Sequence, residues 1–269
     1  MKTVRCLTLV LFAASAAYGQ TFDPGCPLPS RLDAIKAQHD IDDHCARDGK
    51  PSATNAKHLE SAAKNNFCAS GTPALVTIKS FKALQKKSDN LPGSLTNLAD
   101  RAVLHDLYTN SAGEKLGEGT LVRFAGYILD AHYSNVSNGE AVNCGHAGNE
   151  WNDVHIVIGA DPNESNFCNS VTAEMSPHFR PEIWTPDDLD NLKGTMVRFT
   201  GQLFFDSAHA PCRLRSNGTW KKSSPARLSV WEIHPVYSLD VCDAASCSAD
   251  SENGWIPFEQ FVGAVMPPG

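Results

Sequence analysis

Apolar and polar residues alternate in steps of two along five stretches of this chain: Thr120–Ala131, Asp153–Gly159, Ser170–Met175, Thr195–Asp206 and Arg227–Val241. A period of two is the signature of strands with one face buried. The first and fourth stretches are near copies, GTLVRFAGYILDAH and GTMVRFTGQLFFDSAH, with Gly119/Gly194, Val122/Val197, Arg123/Arg198, Phe124/Phe199 and Gly126/Gly201 in register. Two matching strands predict one curved sheet. Long polar loops separate the five segments, and Gly126 and Gly201 permit sharp bends, so the pattern predicts a small OB-like five-stranded barrel. A β-sandwich is the alternative, because five strands and loop signals do not by themselves separate the two.

Upstream, the pattern turns helical. Leu32, Ile35 and Ile41 predict a helix over Arg31–Arg47, with Ser30 as N-cap and Gly49 and Pro51 beyond its end. A second helix is predicted over Asn55–Phe67, where Ala, Leu, Glu and Lys dominate. Thr72–Phe81 alternates and is β-branched, which predicts a strand; helical or turn-rich material follows to Asp89, and Leu98–Tyr108 reads as a short helix. The organisation is therefore mainly β, α+β overall: residues 1–19 a signal peptide, 20–115 a helical, cysteine-rich region with one strand, 116–242 the barrel, and 243–269 a tail with Trp255 and Phe258.

The signal peptide rests on Lys2 and Arg5, the apolar run Leu7–Ala17, and the small-residue end Ala17, Tyr18, Gly19. That run is too short to span a bilayer, so cleavage near Gly19 and a secreted or periplasmic location are expected, with no transmembrane segment. Cleavage removes Cys6 from nine cysteines and leaves Cys26, Cys45, Cys68, Cys144, Cys168, Cys212, Cys242 and Cys247. An even number in an exported chain predicts disulfides, and the absence of any CxxC pair argues against zinc thiolates. Cys26, Cys45 and Cys68 bracket the helices, so three cysteines must send one bond elsewhere. Losing Lys2 and Arg5 takes 23 basic residues to 21 against 30 acids, a net of −9 with His neutral. Such a charge repels phosphate backbones and speaks against nucleic acid as partner.

Candidate chemistry lies in acid–His pairs on the strands: Asp130/His132, Asp153/His155, Asp206/His209 and Glu232/His234, with Glu174/His178 more loosely spaced. Chance supplies about one acid with a His two residues later in a chain of this composition. Four occur, counting Asp42/His44 in the helical region. Residues two apart on a strand share a face, so Asp153 with His155, and Glu232 with His234, present both side chains together. Such pairs can ligate a divalent metal or act as a general base held in one tautomer. The competing reading is that they only tie strand ends and loops. The ligand or metal candidates are Asp153, His155, Asp206, His209, Glu232 and His234; Arg123 and Arg198 are the anion-binding candidates. Pro235 lacks an amide hydrogen, which predicts an edge or bulged strand that exposes the Glu232/His234 pair. Trp231, on the opposite face, reads as core, and Phe204 and Phe205 divide one in and one out.

Together NDVHIVIG, SVTAEMSPHFRP, VRFTGQLFFDSAH and WEIHPVYSLDVC resemble an uncharacterised family of secreted bacterial proteins with an OB-type barrel, and KNNFC at Lys64–Cys68 resembles the helical part of its relatives. The resemblance implies export from a Gram-negative bacterium and a barrel in preference to a sandwich, and it brings no catalytic residues. With no nucleophile motif such as GxSxG, the first functional expectation is a binding or interaction module of unknown ligand. The alternative is a metal-dependent hydrolase of the phosphodiesterase or nuclease kind, with the acid–His pairs converging on a divalent metal at one barrel mouth.

Overall fold

The computed structural model describes residues 22–33, 35, 39–91 and 100–265. The expected signal peptide lies outside them. In chain order the elements are helices α1 (Ser30–Asp33), α2 (Ile41–His44) and α3 (Asn55–Lys64), strand β1 (Ala74–Leu75) and helix α4 (Ile78–Ser88), then the short strands β2 (Tyr108–Thr109) and β3 (Lys115–Leu116). Next come β4 (Leu121–Tyr133), β5 (Val154–Gly159), β6 (Val171–Met175), α5 (Pro186–Asp190) and β7 (Met196–Phe205). The hairpin β8 (Arg213–Leu214) and β9 (Trp220–Lys221), β10 (Trp231–Cys242), β11 (Trp255–Pro257) and α6 (Phe258–Val265) complete the chain.

The five long strands close on themselves. Antiparallel pairs join β4 to β5, β5 to β6, β10 to β7 and β7 to β4, while β6 and β10 pair in parallel. This circuit removes every free edge from the five strands. The two repeat copies lie side by side, Phe124 opposite Phe199. Gly126 and Gly201 are needed for close approach: a Cβ there would stand 2.4 Å from the Gly159 carbonyl oxygen and 2.5 Å from that of Pro235. Alternation fills the interior with Val122, Phe124, Ile156, Ala173, Phe199 and Trp231, all buried.

Several expectations change. Thr72–Phe81 yields a strand of only two residues before α4 begins. Ser80 Oγ accepts from the Thr77 amide at 3.1 Å, a capping contact that starts a helix whose Phe81 and Leu84 enter the core. The long helix over Arg31–Arg47 is replaced, among the described residues, by the one-turn helices α1 and α2. Leu32 packs into an aromatic cluster with Phe22, Phe67, Phe179 and Tyr237, while Cys45 just past α2 is tied to Cys144, so the segment follows its anchors. The expected helix over Leu98–Tyr108 is, in its described part, a single 3₁₀ turn at Ala102–Leu104.

Pro235 does coincide with a bulge, since the β10–β7 register shifts between Ile233 and Val236. The strand is nevertheless central, flanked by β6 and β7, and Glu232 and His234 are buried rather than exposed. Phe205 enters the core against Trp231, but Phe204, facing outward, is buried too. Both departures have one cause: α3 and the segment around it cover the outer face of the barrel. Asn66 Nδ2 donates to Gln202 Oε1 at 2.7 Å, Gln202 Nε2 to the Ala63 carbonyl at 3.1 Å, and Tyr237 Oη to the Asn66 carbonyl at 3.1 Å.

Four disulfides staple the fold: Cys26–Cys68, Cys45–Cys144, Cys168–Cys212 and Cys242–Cys247. The helical cluster thus closes one bond within itself and sends Cys45 to the β4–β5 loop. Four such bonds fit an oxidising compartment. No helix among the described residues is long and apolar enough to cross a membrane.

Candidate functional site

Because interior positions are apolar, the alternating residues of β5, β6 and β10 point outward. On an uncovered barrel they would meet water. Here Lys64, the last residue of α3, closes over them, and its Nζ lies 3.0 Å from Glu174 Oε2. Beneath it a charged cluster is buried on the outer sheet face, and not at the barrel mouth.

The cluster has two overlapping halves. Glu140, Asp153 and His155 offer ligand atoms within 4.8 Å of one another, and so do Asp153, Glu174 and His234. Within it, His155 Nε2 lies 3.0 Å from Glu174 Oε1 and 3.7 Å from Glu140 Oε1. His234 Nδ1 is 2.5 Å from Glu174 Oε2, which fixes that nitrogen as the protonated one. Its Nε2 therefore carries a lone pair, and faces Asp153 Oδ2 at 3.9 Å, both atoms without a protein partner. Asp153 is 1% exposed and His234 0%, so Asp153 Oδ2 and His234 Nε2 are two lone-pair atoms buried without a donor. Leaving such groups unmade costs about 1–3 kcal/mol each.

The electrostatics follow from crowding. Burial and the Glu140 carboxylate push Asp153 well above the usual carboxyl range. Burial also opposes ionisation of Glu140, but His155 and Lys64 bring it down to about 2. Glu174, buried likewise, is held well below the ordinary value by His155, Lys64 and His234. Burial works against the Lys64 charge, and the surrounding carboxylates, Glu174 first, overcome it and raise its pKa well above normal.

Asp206, His209 and Glu232 form a neighbouring group. Arg227 Nη1 bonds Asp206 Oδ2 at 3.0 Å and also the Glu232 carboxylate, while His209 Nδ1 meets Asp206 Oδ2 at 2.5 Å. Of the six sequence candidates, then, Asp153, His155 and His234 come together, while Asp206 and Glu232 share Arg227 and His209 joins them through Asp206. A cleft of about 260 Å³ joins the two groups: Glu140 and Lys64 line one side, and Asp206 and His209 another. His155 retains 12% side-chain exposure behind Glu140.

Both anion candidates face acids. Arg198 is buried over the Trp255 ring, with Asp240 at 3.1 Å and Glu252 at 2.8 Å, and Arg123 pairs with Glu252 at 2.7 Å. The Asp130/His132 pair forms, 3.0 Å apart on the surface. His178 leaves Glu174 for Asp42 at 2.8 Å. Sequence reasoning missed Glu140, Lys64 and Arg227. Lys64 and Glu140 come from a helix end and a loop outside the strand pattern, where spacing carries no signal; Arg227 opens the predicted fifth stretch but lies in the loop before β10, which begins at Trp231. Glu174 had one, since alternation puts it on the outer face.

Burial raises the Asp206 carboxyl, but His209 and Arg227 overcome it and hold the pKa well below the usual value. A group depressed in the folded state stabilises fully above its unfolded pKa of about 3.9, and the stabilisation is lost as pH falls through the folded value. Thermal stability should therefore drop from about pH 4 downward, and less steeply in Asp206→Asn. Equal slopes in melting curves of the two proteins would remove Asp206 from the account.

Neither a family model, nor a curated protein, nor a solved structure matches this chain.

Proposed function

We propose that the protein is an exported binding barrel of bacterial origin, as its four strand motifs and disulfides suggest, and that its ligand is a divalent transition-metal ion. The observation that carries the reading is the pair of buried lone-pair atoms without donors, Asp153 Oδ2 and His234 Nε2, beside the His155 imidazole and the carboxylates of Glu140 and Glu174. Two imidazoles with carboxylates and no thiolate suit zinc, manganese or iron. The carboxylate-lined face, sealed by α3, is the one OB barrels offer to oligonucleotides, which argues against a polynucleotide ligand.

Metal content by mass spectrometry on the purified mature protein, with melting curves before and after chelation, tests the reading. Ion at a hundredfold over its dissociation constant stabilises by about 2.7 kcal/mol, or about 5–10 °C for a chain of this size. His155→Ala and His234→Ala should both lose that gain. Metal-free protein indifferent to added zinc and manganese would overturn it.

A second reading, a metal-dependent hydrolase, is favoured by the Asp206–His209 pair on the cleft wall. An ion lowers the pKa of bound water, and an imidazole held through Nδ1 can take the proton at Nε2. Turnover of a nitrophenyl phosphodiester by the loaded protein, lost in His209→Asn, would support hydrolysis; a loaded but inert protein would leave a binding barrel.

A further inference from the structure

We infer that the buried cluster is built for two divalent cations bridged by Asp153, an inference that rests on the metal-binding reading above. The ligand atoms fall into two sets, Glu140, Asp153 and His155 on the cleft side and Asp153, Glu174 and His234 further in, and Asp153 belongs to both. Each set contains one imidazole and one carboxylate of its own. Sites that hold a pair of metal ions in helical bundles use this economy, two histidines with a few shared carboxylates.

Two gaps lie within the cluster. On the cleft side His155 Nε2 stands 3.7 Å from Glu140 Oε1, and it reaches across to Glu174 Oε1 at 3.0 Å. Further in, His234 Nε2 and Asp153 Oδ2 face each other across 3.9 Å, too far for a hydrogen bond. Two ligands of one ion, each about 2.0–2.2 Å from it, stand about 3–4.2 Å apart, so each gap has the width of a cation site. Glu174 takes the Nδ1 proton of His234, so on the inner side it orients the imidazole while Nε2 and Asp153 Oδ2 flank the ion position.

The surroundings are acidic as well: Glu140, Asp153, Glu174, Asp206 and Glu232 lie together, with Lys64 and Arg227 as the cations in contact with them.

The test is reconstitution of the mature protein with manganese(II), followed by removal of free metal, metal-to-protein ratio and electron paramagnetic resonance. The expected result is two ions per chain with the spin-coupled spectrum of a pair about 3.5–4 Å apart. His234→Gln should bind one ion with an uncoupled spectrum; the wild-type readings stand if that variant does not fold. One ion per chain, or two uncoupled ions, one of them held by exposed histidines, would overturn the inference and leave the single-ion reading intact. No bound ion would remove both.

Discussion

Replacing Arg227 by methionine is expected to destabilise the protein by about 3–5 kcal/mol at neutral pH, because the change leaves the Asp206 and Glu232 carboxylates buried without their shared cation. The volume is roughly kept, so the loss is electrostatic. Arg227 is 1% exposed and its partners are 3% and 0%, which leaves little water to take over. Burial and the nearby Glu174 carboxylate already push Glu232 well above the ordinary range, against the pull of Arg227. In the variant Glu232 should retain a proton. A group raised in the folded state stabilises below its unfolded pKa and loses that stabilisation as pH rises through the folded value, so the deficit should be smaller at pH 5 than at pH 8. Adding Glu232→Gln to the variant should recover part of the loss, as a cycle of the three proteins would show. A denaturation midpoint within about 1 kcal/mol of wild type would mean that solvent reaches these groups.

That expectation depends on a residue which the sequence does not single out, and the reason is physical. Strand periodicity states which side chains share a face, so Asp153 with His155 and Glu232 with His234 could be paired from spacing alone. The five strands follow from the same period, and the repeat copies share one sheet as expected; that they pair with each other, Phe124 opposite Phe199, is set by the barrel's closure. Periodicity says nothing about what lies over a face. The outward side of β5, β6 and β10 reads as wet in the sequence, and α3 makes it dry. Lys64, Glu140 and Arg227 enter from elements whose positions are set by long-range packing and by the Cys45–Cys144 bond. The acid–His pairs are thus legible as pairs, and their assembly into one buried cluster is not.

The Cys45–Cys144 bond is where fold and site meet, and its removal is the other large effect expected. It spans 99 residues, the widest separation of the four. A loop of that size restricts the unfolded chain by about 4.7 kcal/mol in the chain-entropy account, and the crossing Cys26–Cys68 bond reduces this, so Cys45→Ala with Cys144→Ala should cost about 2–5 kcal/mol. Cys242–Cys247, separated by 5, should cost only about 2 kcal/mol when removed in the same way. Cys144 also sits in the loop that delivers Glu140, and its neighbour Asn143 donates to Asp153 Oδ1 at 3.2 Å. Cutting the staple should therefore weaken metal binding as well as stability, whereas cutting Cys242–Cys247 should leave metal affinity unchanged. Melting curves and metal titrations on both double variants separate these effects. Equal losses of stability would show that chain entropy is not what the long bond contributes. Unchanged metal affinity in the Cys45/Cys144 variant would mean that the Glu140 loop is held by its own hydrogen bonds, chiefly those of Asn152 to the Glu140 amide and the His146 and Gly148 carbonyls.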